Sequence, residues 1–298
     1  MIGFRSLLPA LAAAATLLAA PIAGAGESLP ENQWSHVARP SQGPPVVIGG
    51  FAHGCISGAV PLPADGTGYE VIHLSRKRYF GHPTTVAFVE RLGQRSQAAG
   101  LPAFMVGDMA QPRGGPLPYG HASHQTGLDV DIWFDLQQRP LLQAAARETI
   151  EPPSMLRADW RGIDPKKFGA RQAALLRLAA TDPRVERIFV NPQIKLALCR
   201  GIGGARGDRA WLQRLRPWWG HDDHFHVRLR CPEGSPECEA QAPIPPGDGC
   251  DATLASWARH ETPPPPHPVI GSAPRREPAL PAACTPLLAA PGKIISLP

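Results

Sequence analysis

Gly120-His121-Ala122-Ser123-His124-Gln125-Thr126-Gly127-Leu128-Asp129-Val130-Asp131-Ile132-Trp133 is the stretch from which the organisation of this chain is read. From Leu128 to Phe134 the residues alternate as in a strand. Leu128, Val130 and Ile132 point one way, and Asp129, Asp131 and Trp133 point the other. His121 and His124 sit in the loop just ahead. A counterpart lies far along the chain, Trp218-Trp219-Gly220-His221-Asp222-Asp223-His224-Phe225-His226-Val227. There Phe225, Val227 and Leu229 form an apolar face, and His224, His226 and Arg228 a polar one. If the two strands are neighbours in a sheet, His226 meets Asp131, and His124 closes over both from its loop.

The chain has 11 histidines, and five of them fall in these two stretches. A lone histidine is usually structural, but this clustering on strand faces points to metal ligation. Two imidazoles and a carboxylate suit Zn2+ in a tetrahedral site that keeps one position for water. Spacing leaves alternatives open. Either histidine of the His224-Phe225-His226 run could ligate, and Asp129 could replace Asp131 or orient a ligand histidine from behind. No HExxH occurs to supply a glutamate base, so His224 and His221 are the candidate proton carriers.

Working outward, Arg5, the apolar run Leu7 to Ala20 and Ala23-Gly24-Ala25 read as a secretory signal peptide over 1–25. The run is too short for a stable membrane span, and no other apolar run approaches spanning length. No integral membrane segment is therefore expected after cleavage. The cysteines are Cys55, Cys199, Cys231, Cys238, Cys250 and Cys284. An even set without CxxC spacing in an exported chain reads as disulfides. A net charge of +5 suits an acidic polymer, but no Arg/Lys run with interleaved aromatics supports nucleic acid.

Residues 26–48 read as an extended Pro- and Gly-rich lead-in, followed by glycine turns at Gly49, Gly50 and Gly54. Strands are expected at Tyr69 to Leu74, Phe104 to Val106 and Arg187 to Val190. A helix opens at Pro83, with Thr84 or Thr85 as cap. Another spans Phe168 to Ala180, with Ala174, Leu175, Leu178 and Ala179 facing the core. Short helices are expected at Ile194 to Leu198, Asp208 to Leu215 and Ala252 to His260. Residues 136–166 read as loop, and the Pro-rich tail over 261–298 cannot build a core of its own. Arg113 suits either a substrate carboxylate or a structural contact. Trp218 and Trp219 suit the border of a groove, with burial expected for at least one of them. Asp222 and Asp223 read as loop residues.

The pattern SHxxGxDxD followed by WxxHxxHxHVRLRCP resembles the penicillin-insensitive murein endopeptidases, which are related to lysostaphin-like enzymes and D-alanyl-D-alanine metallopeptidases. The likeness runs through Arg113-Gly114-Gly115, His121 to Ile132, Arg187 to Lys195 and His221 to Pro232. It implies a zinc peptidase domain over 49–260 with an α+β fold around a central antiparallel sheet, flanking helices and long loops. It implies zinc ligands at His124, Asp131 and His226, with His224 and His221 as catalytic or transition-state-stabilising groups. It implies disulfides Cys55–Cys284, Cys199–Cys250 and Cys231–Cys238. A further metal position in the family uses a histidine matching His121 with an Asp and a His three residues apart. Here Asp159 matches the Asp, but Gly162 replaces the His, which leaves His121 between that metal role and lining the cleft. The implied activity is hydrolysis of the D-alanyl–meso-diaminopimelyl cross-link of peptidoglycan in the periplasm. It needs no acylatable serine for a β-lactam to trap. The competing expectation is a non-catalytic peptidoglycan-binding or zinc-holding periplasmic protein of the same fold.

Overall fold

The computed structural model describes residues 32–204, 207–260 and 279–295. The expected signal peptide over 1–25, residues 26–31 of the expected lead-in, and residues 261–278 and 296–298 of the expected tail lie outside them. In chain order the strands are β1 (Val46–Gly50), β2 (His53–Ser57), β3 (Val60–Pro61), β4 (Asp65–Gly66), β5 (Tyr69–Val71), β6 (Phe80–Gly81), β7 (Phe104–Val106), β8 (Asp129–Trp133), β9 (Val185–Val190), β10 (Leu215–Pro217) and β11 (His224–Leu229). The α-helices are α1 (Pro83–Ala98), α2 (Ala144–Thr149), α3 (Ala170–Ala180), α4 (Pro192–Cys199), α5 (Ala252–Arg259) and α6 (Thr285–Ala289). This is the expected α+β architecture.

The main sheet runs β10-β9-β11-β8-β7-β5-β4. Its centre, β9-β11-β8-β7, is antiparallel. Towards the edges β10 pairs with β9, and β5 with β7, in parallel, so the sheet as a whole is mixed. The two motif strands are direct neighbours. His226 stands opposite Asp131, and Arg228 opposite Asp129. Both faces of β8 and β11 are covered, and Asp129, Asp131, His226 and Arg228 are all buried. Their apolar faces feed the main core, where Val130, Ile132, Phe225 and Val227 are fully inaccessible.

Helix α1 carries Pro83 at its first turn, as expected. Its cap, however, is His82, whose ring accepts the Thr84 N–H at 3.1 Å. Thr84 and Thr85 fall inside the first turn, and the Thr85 hydroxyl donates to the Gly127 carbonyl at 2.7 Å, tying the helix to the first motif. In α3 the buried face is Ala173, Leu175, Leu176, Ala179 and Ala180, rotated from the expected one. Gln172 fixes its start: Oε1 accepts the Gly169 N–H, and Nε2 donates to the Phe134 carbonyl beyond β8. Helix α2 interrupts the stretch expected to be loop. It is held by Arg147, which donates to the carbonyls of Leu142 and Ala64 and pairs with Asp65.

Ahead of the main sheet, β1 and β2 form a hairpin where the sequence suggested only turns. Glycine at 49 is required there, since its φ is 77° and a Cβ would strike the His53 carbonyl. Disulfides join Cys55 to Cys284, Cys199 to Cys250 and Cys231 to Cys238, the set that the resemblance implies. The first pins α6 back onto β2. Arg113 reinforces that link, donating to the carbonyls of Arg39, Leu287 and Leu288. Of its two expected uses, the structural one is the one observed. Helix α5 packs on α4, with Asp251 capping Leu254 and Gln193 donating to the Ala258 carbonyl. Among the described residues, no helix is long and apolar enough to cross a membrane.

Candidate metal centre

Five histidines and two aspartates converge where β8 and β11 pair. Asp131 is the hub. Its Oδ1 lies 3.1 Å from His226 Nδ1 and 3.8 Å from His224 Nε2. Its Oδ2 lies 3.4 Å from His124 Nε2 and 3.5 Å from His121 Nε2. The His124 ring sits 4.6 Å from that of His226 and 4.5 Å from that of His121. His221 closes the far side, 5.0 Å from the His224 ring and 5.9 Å from that of His226. The ligand and proton-carrier candidates singled out in the sequence are therefore all in this one cluster.

Asp129 points into the same face but does different work. Arg228 grips it with Nε and Nη2, at 2.7 and 2.9 Å, across the strand pair. Its Oδ2 also accepts the His124 backbone N–H at 3.1 Å. That bond matters because His124 has φ 68°, a left-handed conformation that a side-chain-bearing residue adopts only when held. His221 is strained likewise, at φ 53°. Asn191 holds it from the start of α4, donating its N–H to the His221 carbonyl and Nδ2 to the Gly220 carbonyl. The strain in both loops aims an imidazole at the hub.

The charges follow from this packing. Burial works to raise the Asp131 carboxyl, but His124, His224 and His121 outweigh it and hold it well below the usual carboxylate range. Burial likewise opposes ionisation of Asp129, and Arg228 with His226 overcomes it. The His124 ring is driven down to about 4, chiefly by burial, and is therefore neutral near pH 7. The His221 ring falls to about 3 through burial and its neighbours His224 and His226. His224 goes the other way. Burial lowers it, but Asp131 and the Asp223 carboxylate, 2.5 Å from Nδ1, lift it to about 9.

Two participants were not legible in the sequence. Asp108, in the turn after β7, reaches within 3.2 Å of His121 Nε2 and accepts Arg78 Nη1 at 2.7 Å. Nothing local distinguishes it from any loop aspartate. Asp223, read as a loop residue, is the partner of His224. Asp159 lies apart from this set on an exposed turn, where Arg157 and the Arg161 N–H occupy its carboxylate. Trp218 and Trp219 are both more than half exposed, at 54% and 55%, so the burial expected for one of them is not observed.

Buried polar atoms in native proteins are nearly always partnered. Here His124 Nδ1 and Nε2, Asp131 Oδ1, His224 Nε2 and His226 Nε2 are buried and make no hydrogen bond of good geometry among the described residues, although Asp131 Oδ1 lies 3.1 Å from His226 Nδ1 and His226 Nε2 3.4 Å from Asp129 Oδ2. His121, His124 and Asp131 each offer a ligand atom within 4.8 Å of the others. Imidazole nitrogens and a carboxylate oxygen, orphaned together, are a donor set that fits a borderline-soft divalent cation.

Comparison with known sequences agrees with this geometry. Residues 47–289 match the profile of the penicillin-insensitive murein endopeptidases. The chain belongs to that family. It is 45% identical over 265 residues to a penicillin-insensitive murein endopeptidase of Haemophilus influenzae, covering 87% of this chain and 89% of the relative. A relative of the same description from Klebsiella pneumoniae is 44% identical over 276 residues, 91% and 96% of the two chains. One from Yersinia enterocolitica is 44% identical over 255 residues, 86% and 90%. The span matched by the family profile contains both motif strands, every residue of the cluster and all six cysteines.

Proposed function

We propose that this chain is a zinc-dependent endopeptidase that hydrolyses the D-alanyl–meso-diaminopimelyl cross-links of peptidoglycan. The observation that carries the reading is the set of orphaned imidazole and carboxylate atoms around Asp131, in a chain whose relatives are named murein endopeptidases. His124, Asp131 and His226 would hold the ion, with His121 beside them. Bound zinc supplies Lewis acidity, polarising a carbonyl and acidifying water.

The remaining residues have separable tasks. His224 presents Nε2 to the hub, 3.8 Å from Asp131 Oδ1, where it can stabilise developing negative charge and protonate a leaving amine. Asp223 fixes its ring through Nδ1. His221, whose ring stays neutral, offers a hydrogen-bonding group on the far side of the cluster. Asp129 and Arg228 lock the backbone of His124 and the flank of His226 without touching substrate. The signal peptide read over 1–25 would deliver the chain to the periplasm. Three disulfides suit that oxidising compartment.

The test is a digest of purified cross-linked sacculi of the diaminopimelate type, with products read by mass spectrometry. Dimeric muropeptides are expected to fall to monomers with zinc, to persist with a chelator, and to be cleaved equally when a β-lactam is present. Dimers that survive with zinc bound would rule the enzyme reading out. Within that assay, His224→Ala is expected to retain stoichiometric zinc while the turnover rate drops about 100-fold. Unchanged turnover would remove His224 from the proton-carrying role.

A further inference from the structure

An aromatic ledge beside the cluster takes no part in the proposed hydrolysis. Among the described residues, few large hydrophobic side chains are more than half exposed, and two of these, Trp218 and Trp219, are adjacent. They do not stand alone. Trp257, from α5, stacks on Trp219 with ring centroids 4.7 Å apart and planes 24° from parallel, and lies 6.2 Å from Trp218. Trp218 meets Phe189 edge-on at 5.8 Å, and Phe189 meets His226 edge-on at 5.4 Å. An unbroken line of rings thus runs from solvent to the metal cluster. The ledge is also rigid. Helix α5, which carries Trp257, is capped by Asp251, bonded to α4 through Gln193 and anchored by the Cys199–Cys250 disulfide one residue before the cap. The Trp219 carbonyl is bonded to His221 Nδ1 at 3.2 Å.

We infer that the Trp219–Trp257 ledge is a saccharide subsite that stacks a sugar ring of the murein glycan while the cross-link occupies the cluster. This rests on the endopeptidase reading. The negative face of an indole attracts the C–H bonds presented by a pyranose ring, and a preorganised face costs little entropy to engage. Exposed apolar surface contiguous with a cleft marks a binding groove. Trp257 lies three ring-to-ring steps from His226, through Phe189 and Trp218. An extended stem peptide spans roughly 3.3–3.6 Å per residue, so several residues carry the glycan from the scissile bond that far.

The experiment compares wild type, Trp219→Ala, Trp219→Phe and Trp257→Ala on two zinc-loaded assays: intact sacculi, and soluble cross-linked peptide dimers freed of sugar. The ratio of kcat/KM on sacculi to that on the sugar-free dimer is expected to fall about tenfold in both alanine variants and to recover largely in Trp219→Phe. Equal losses on both substrates would mean that the ledge grips peptide, and would overturn the inference. So would an alanine variant that turns a dimeric protein monomeric, since the ledge would then be a contact between copies. A separate arm, co-sedimentation of chelator-treated protein with sacculi, keeps the two readings apart. Weaker pelleting of Trp219→Ala supports the subsite even if no cleavage is found, and unchanged pelleting counts against it.

Discussion

Asp131→Asn is expected to abolish zinc retention and peptidoglycan hydrolysis together while leaving the fold intact. The side chain is isosteric, and it lies among polar atoms that an amide can still contact. What is lost is the charge. Asp131 lies within 4 Å of ring nitrogens of His121, His124, His224 and His226, so its carboxylate is the common negative centre of the cluster. Two unit charges 4 Å apart at an effective dielectric of 20 attract by about 4 kcal/mol, and a dication at ligand distance by more. Losing that much corresponds to at least about a thousandfold in metal affinity. The measurement is metal content after dialysis against buffered zinc, beside muropeptide release from sacculi. A folded variant that still holds one zinc and still cleaves would show that the ion, or the chemistry, sits elsewhere.

Much of this centre was legible because strand geometry is strict. Residues two apart share a face, so His224 with His226 and Asp129 with Asp131 could be assigned to common faces from sequence alone. The observed register then sets His226 opposite Asp131. What spacing could not decide was which aspartate serves the cluster. Arg228, directly opposite Asp129, occupies it with its fork, so that of the histidine rings only His226 lies near Asp129, at 3.4 Å, while four crowd Asp131. Asp108 was invisible for a related reason. Its significance comes from Arg78 and His121, which reach it from distant segments. The β1–β2 hairpin was missed because its glycines mask the alternation that signals a strand. The α1 cap was missed because the helix already begins at Pro83, which puts Thr84 and Thr85 inside its first turn and leaves the cap to His82.

Arg228→Met is expected to cost about 3–5 kcal/mol of stability, the usual result of stripping one member from a buried ion pair. Asp129 is fully buried, and Arg228 sets a permanent positive charge against it; the guanidinium itself lies between the rings of Phe51, at 3.7 Å, and Phe189, at 5.1 Å. Methionine keeps most of that packing, so the loss reports on the stranded carboxylate. Urea unfolding with the disulfides intact measures it, as a lower midpoint at unchanged slope. The double variant Asp129→Leu with Arg228→Met removes both charges and is expected to regain most of the lost stability, because paired deletion of buried charge is often neutral. It is not expected to regain hydrolysis. Leucine cannot accept the His124 N–H, and without that bond His124 is released from the left-handed backbone that sets its ring over Asp131. Stability and activity would then part company across wild type, single and double variant. If the double variant is fully active, Asp129 has no positioning role; if Arg228→Met alone unfolds at the wild-type midpoint, the pair does not stabilise the sheet at all.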